Sequence, residues 1–159
     1  MFPPLTYVLM LEVPETTSIK VGSLTCNTFG PGWFYYVGSA KRAGGHRLRR
    51  HLENHKRVHW HIDYLTTDPA VQFWGILGWN SPEQTECGLV AKLAARPGLR
   101  FVAPGFGTGD CQAGCVSHLL WAADVSVNQA LWQWLLQGHP QPFLRCRRGT
   151  EPVGRPARL

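Results

Sequence analysis

Apolar positions fall in blocks along the chain, and the blocks predict its elements. Leu5–Val13 is apolar almost throughout and rich in β-formers, which predicts a buried strand. Pro14–Ser18 is a turn cluster, and Ile19–Gly22 predicts a short second strand. Thr25–Gly32, punctuated by Gly30, Pro31 and Gly32, is a loop. Trp33–Gly38 is an aromatic, continuous third strand, and Lys41–Gly45 a loop. The next segment, His46–Arg57, is helical by composition, with Leu48 and Leu52 four residues apart and an Arg49–Glu53 pair at the same spacing. His59–Leu65 reads as a further helix and Val71–Trp79 as a strong strand.

The clearest start signal follows. Ser81 stands as N-cap, Pro82 at N1 and Gln84 at N3, opening a helix lined by Leu89, Val90, Leu93 and Ala94 and ended by Pro97-Gly98. Phe101–Ala113 is a Gly-rich loop and His118–Ala122 a last strand. Ser126–Gln137 is a helix capped by Ser126, with a stripe through Leu131, Trp134 and Leu135. The order is β-β-β-α-(α)-β-α-β-α, an α+β fold over residues 1–138, with 139–159 a basic, disordered tail.

Composition narrows the class. With 159 residues, 44% hydrophobic, 16% charged and seven Trp, the chain is a single globular domain and not a disordered one. No apolar run approaches a membrane span, and Leu5–Leu11 lacks the flanks of a signal peptide. Five scattered Cys, an odd number, fit a reduced cytoplasmic protein.

Charge changes the picture more. Between Gly38 and His61, Lys41, Arg42, Arg47, Arg49, Arg50, Lys56 and Arg57 face Glu53 alone, and five of the seven His fall there too. Arg outnumbers Lys twelve to four, and guanidinium forks suit phosphate. A phosphate-binding footprint and a solvated helix face explain this charge equally well.

The motifs decide between them. Tyr7-Val8-Leu9 lies on the first strand and Tyr36-Val37-Gly38 ends the third, about thirty residues on; an Arg-rich helix follows, then Glu86 on a capped helix. This order resembles the GIY-YIG nuclease superfamily. The stretch from Tyr36 to Arg50 is similar to the nuclease domain of the bacterial nucleotide-excision incision protein. It resembles more closely a clade of small proteins described as a domain of unknown function, which occur alone or fused to endonuclease III-type repair glycosylases. The strings carrying that resemblance are Tyr36–Ala40, Arg47–Leu52, His59–Leu65, Glu86-Cys87 and Pro104–Leu119.

The resemblance implies a small central three-stranded sheet, mixed or antiparallel, flanked by helices. It implies an endonuclease that nicks DNA using one Mg²⁺ or Mn²⁺ held by Glu86, with Arg47 on the phosphate and Tyr7 or Tyr36 as general base. Arg50, one turn on from Arg47, competes for its role, and either tyrosine fits the base. Lys41, Arg42, Arg49, Arg50 and His51 are candidate nucleic-acid contacts. His59, His61, Asp110, Ser117 and His118 are candidate supporting residues. DNA repair and a repair glycosylase partner are the implied context. Two departures from the superfamily, no Gly before Tyr7 and no counterpart of a late Asn, point to the alternative of a non-catalytic nucleic-acid-binding module.

Cys111-x-x-x-Cys115-x-x-His118 with Cys87 has zinc-compatible residues but no second tight pair, so buried free thiols are preferred to zinc and to a zinc-stabilised interaction domain. His51, His55 and His59 recur every four residues and are read as polar surface near phosphate.

Overall fold

A computed structural model describes residues 5–40, 44–138 and 140–144. It is an α+β fold around one six-stranded sheet in which every pairing is antiparallel. Three long strands form its centre: β1 (Leu5–Val13), β4 (Gly32–Ala40) and β5 (Gln72–Trp79). Shorter strands extend both sides, β6 (Arg100–Phe101) and β7 (Leu119–Ala122) beyond β4, and β8 (Gln141–Leu144) beyond β5. The sheet is therefore twice the three strands expected. A separate ribbon pairs β2 (Thr17–Ser18) with β3 (Thr28–Phe29).

The long strands are apolar on both faces because both faces are covered. On one, Tyr7, Leu9, Leu11 and Tyr36 pack against Leu48 of α1 (Gly44–Leu52), Ile62 and Leu65 of α2 (His61–Thr66), and Phe106. On the other, Val8, Met10, Tyr35 and Val37 meet Leu89 and Leu93 of α3 (Glu86–Ala94) and Leu131 and Leu135 of α4 (Val125–Gln137). Within the second core the Tyr35 hydroxyl donates to Asn128 Oδ1.

Several boundaries differ from the expectation, each for a local reason. The strand expected at Ile19–Gly22 is instead the run-out of the β2–β3 ribbon. Ile19 N–H still bonds Asn27 O at 2.8 Å, after which Leu24 N–H closes a turn on Val21 O. Helix α1 stops at Leu52, not Arg57: Glu53 N–H turns back onto Arg50 O, and Lys56 Nζ donates to the same carbonyl at 2.9 Å, while Asp63 accepts the N–H groups of His59 and Trp60 just ahead of α2. Helix α3 is capped by Thr85, whose Oγ1 accepts from Gly88 N–H at 3.0 Å, whereas Ser81 opens a turn closed by Gln84 N–H. Thr6 Oγ1 donates to Gln84 O at 2.7 Å and pins that turn to β1. Helix α4 is preceded by Asp124 at the N-cap position, two residues ahead of Ser126. Gln141–Leu144, expected in the tail, pairs with β5 from Gly75 to Gly78; residues 145–159 lie outside those described. No helix among the described residues is long and apolar enough to cross a membrane.

Register places one glycine against a tyrosine. Tyr7 stands opposite Gly38 across the β1–β4 ladder, and a Cβ at Gly38 would lie 2.6 Å from the Tyr7 Cζ and hydroxyl. The motif glycine is thus the space the Tyr7 ring occupies. Gly38→Ala is expected to destabilise the fold by about 1–3 kcal/mol, the usual cost of overpacking. Urea denaturation checks this; an unchanged midpoint would mean the ring can move aside.

Candidate active site

The C-terminal end of β4 opens onto a cleft of about 860 Å³. Tyr36 and Ser39 of β4, Arg47 of α1, His59, Trp60 and His61 at the start of α2, Glu86 of α3 and Gly107, Asp110 and His118 of the long loop line it. Three separate segments thus bring together Tyr36, Arg47 and Glu86.

Arg47 is held from two sides. Its Nη1 donates to the Ser39 carbonyl at 2.6 Å, and its guanidinium carbon stands 4.5 Å from the centre of the Trp60 ring. Glu86 is the first residue of α3, where the helix end favours a negative charge. Ser39 Oγ donates to its Oε2 at 2.6 Å, and His118 Nδ1 stands 2.7 Å from its Oε1. Burial pushes the Glu86 carboxyl up, but the bonds from His118 and Ser39 and the charges of His118 and Arg47 hold it below the usual range. Burial likewise works against a charged His118, and the Glu86 carboxylate together with Cys111 outweighs it, raising the imidazole. Glu86 is therefore an ionised carboxylate at neutral pH, with its side chain 28% exposed towards the cleft.

The tyrosines separate. Tyr36 lines the cleft, packed edge-on to Phe106. Tyr7 is fully buried, its hydroxyl 2.6 Å from Nε2 of His51. Burial raises both phenols, Tyr7 far above its ordinary value and Tyr36 to about 12, although Arg47 pulls each down. His51 lies inside the protein rather than on a phosphate-facing stripe. It is 1% exposed, and burial, with Lys56 and Arg47 nearby, lowers its imidazole to about 3.

Arg50 turns away from the cleft. It donates to Asp63 Oδ2 at 2.7 Å and to the Arg57 carbonyl, and Lys56 Nζ stands 3.3 Å from Asp63 Oδ1. Asp63 is completely buried, which would raise its carboxyl. The Trp60 N–H, Arg50 and the His59 N–H reverse this and hold it below the ordinary range. This cluster ties α1 to α2.

The other candidates divide similarly. His59 and His61 reach the cleft, with His61 Nδ1 accepting from Gly107 N–H at 3.0 Å. Asp110 is exposed on its rim. Ser117 is buried and its hydroxyl bonds the backbone of Leu119. Arg49 is exposed on α1, and Lys41 and Arg42 lie outside the described residues. Sequence reasoning missed Ser39 and Trp60 as site residues. Their signals were present in the Gly38-Ser39-Ala40 end of the tyrosine motif and in the Trp between two histidines.

Beside Glu86 the fold gathers Cys87, Cys111, Cys115 and His118, whose ligand atoms all lie within 4.8 Å of one another. Proximity that the linear spacing did not show comes from the loop turning back onto the start of α3. Burial raises the Cys87 thiol to about 12, while the Cys115 backbone leads the interactions that lower Cys111 to about 6.

No curated protein and no solved structure matches the chain. One family does, described as a domain of unknown function, DUF123, and the match runs over residues 6–137, from β1 to the last residue of α4. The strands, the cleft and the cysteine cluster all fall within that span, and the chain belongs to the DUF123 family.

Proposed function

We propose that this cleft is the active site of a divalent-metal-dependent phosphodiesterase, a GIY-YIG-type endonuclease that nicks DNA. The observation that carries the reading is the convergence of Tyr36, Arg47 and Glu86 on one cleft from three elements. Phosphodiester hydrolysis puts a water oxygen on phosphorus, breaks the bond to the leaving oxygen and needs cationic groups where charge develops. Arg47, fixed by Ser39 and Trp60, presents a guanidinium to a non-bridging phosphate oxygen. Glu86 fits a hard cation: its carboxylate is ionised, partly exposed, and keeps lone pairs beyond those taken by Ser39 and His118. Such an ion, Mg²⁺ or Mn²⁺, supplies Lewis-acid stabilisation and a more acidic bound water. Tyr36, neutral at pH 7, offers its hydroxyl to the water or the phosphate. His59, His61 and Arg49 extend the polar surface along which a strand would lie, and Lys41 and Arg42 belong to the same proposed contact set. A cytoplasmic role in DNA repair, beside a repair glycosylase, is the context this reading carries.

One observation favours the alternative of a nucleic-acid-binding module without catalysis. Burial raises the Tyr36 phenol, so it is a poor proton acceptor in the chain alone. The deciding experiment is a cleavage panel of duplex, nicked, flap and single-stranded substrates with Mg²⁺ or Mn²⁺, run beside Glu86→Gln. The wild type is expected to cut and Glu86→Gln to lose cleavage, with nucleic-acid affinity nearly unchanged because the substitution removes no cation that contacts phosphate. A wild type that cuts nothing with either metal, and a variant altered only in affinity, would leave the binding module standing.

A further inference from the structure

We infer that Cys87, Cys111, Cys115 and His118 form a zinc site, and that its histidine ligand positions Glu86. The zinc part stands independently of the nuclease reading; the positioning of Glu86 for catalysis rests on it.

Four ligand atoms of the soft and borderline types that zinc prefers converge from two places, the first turn of α3 and the loop before β7. Cys87 Sγ is 3.6 Å from Cys111 Sγ and 3.9 Å from His118 Nε2. In a tetrahedron with zinc–sulfur bonds of ~2.3 Å and zinc–nitrogen bonds of ~2.0 Å, neighbouring ligands stand ~3.5–3.8 Å apart. The spacing is that of an open ligand shell, and a disulfide sulfur pair would be much closer, at ~2.05 Å. Gly114, at φ +75, takes the left-handed turn that folds the chain back between Cys111 and Cys115.

The histidine uses its two nitrogens differently. Nε2 faces the sulfurs, and Nδ1 stands 2.7 Å from Glu86 Oε1. A ligand histidine whose other N–H is held by a carboxylate is the common second half of a zinc site, because it fixes the tautomer and strengthens the ligand. Here the carboxylate is also the one on the cleft. The loop between Phe101 and Leu119 has little regular structure, and zinc would fasten it to the start of α3.

The full chain, purified under reducing conditions without added chelator, is expected to carry one zinc ion per molecule. Co²⁺ exchanged into it should give the thiolate charge-transfer and tetrahedral visible bands, and Cys115→Ser should lose the full set. Removing zinc should lower the melting temperature. A metal-free chain with no cobalt–thiolate bands and a chelator-independent melting curve would overturn the site, as would a Cys87–Cys111 disulfide in its place.

Two variants test the link to Glu86. Glu86→Gln replaces none of the four ligands, yet should weaken zinc binding by about 10–100-fold, as loss of an outer partner does; unchanged affinity would overturn the link. His118→Cys should keep zinc through four thiolates but lose the hydrogen bond to Glu86. At saturating zinc its cleavage should fall in kcat with little change in KM, and wild-type cleavage would overturn the positioning role. If the wild type does not cleave, the zinc affinity of Glu86→Gln decides the link alone.

Discussion

Replacing Arg47 by alanine is expected to lower the single-turnover cleavage rate by ~10³–10⁵-fold, the range for a transition-state arginine on a transferring phosphoryl group. Affinity should fall only as one phosphate contact is lost, with the log–log salt slope reduced by ~0.9. The asymmetry follows from the site. Arg47 is positioned before substrate arrives by the Ser39 carbonyl and the Trp60 face, so its charge meets the transition state without reorganising. Lysine should rescue poorly, since a compact ammonium keeps the charge but neither the fork nor the stacking. Arg50→Ala should reduce stability and leave kcat of the folded fraction near the wild-type value, because its guanidinium serves Asp63. Rates at saturating substrate, with circular dichroism on each variant, check both. A loss confined to affinity for Arg47→Ala would remove its catalytic role.

Asp63→Asn is expected to cost about 3–5 kcal/mol, the penalty for stripping the counter-charge from a buried ionic cluster. For a chain of this size that corresponds to roughly 10 °C or more in melting temperature. The carboxylate accepts from Arg50 and two backbone N–H groups and faces Lys56, whose side chain is 2% exposed. The sign with pH is fixed by the direction of its shift. Its folded pKa lies below the reference value of 3.8, so its contribution is fully present above that value and is lost as pH falls through the lower, folded one. Thermal melts of wild type and variant between pH 2 and 7 should therefore converge only at the acid end. A constant gap down to pH 2 would exclude Asp63 as the titrating group.

Much of this was legible because the signal was local. Leu5–Val13, Trp33–Gly38 and Val71–Trp79 read as strands since both sheet faces are covered and the runs are continuously apolar. What was not legible depended on partners distant in sequence. Ser81 and Thr85 are both good caps, and the fold pins the Ser81 turn through Thr6, 78 residues before Gln84. At the end of α1 the Arg50 carbonyl is taken by Lys56, a side chain that also faces buried Asp63 of the next helix. Gln141–Leu144 contains a proline and is four residues long; only its place on a sheet edge makes it a strand. The site divides the same way. Tyr36, Arg47 and Glu86 could be named from motif order. That Arg50 serves Asp63 and that His51 is buried against Tyr7 could not, because each answers to a partner distant in sequence. The cysteine cluster stayed hidden because Cys87 lies 24 positions before Cys111, whose sulfur the fold brings to 3.6 Å from its own.

Strand β1 has a further consequence for how the chain comes off the ribosome. Of the described elements it is made first, and it is completed late. Its hairpin partner β4 follows within some thirty residues, but its other edge waits for β5, ending at Trp79. The face built from Val8 and Met10 stays wet until Leu131 and Leu135 have emerged. A nascent chain therefore carries a strongly water-averse stretch with an open edge until β5 has emerged, and with one bare face until α4 has. Holdase chaperones select segments of that kind, and a translational stall before α4 would leave this one bare.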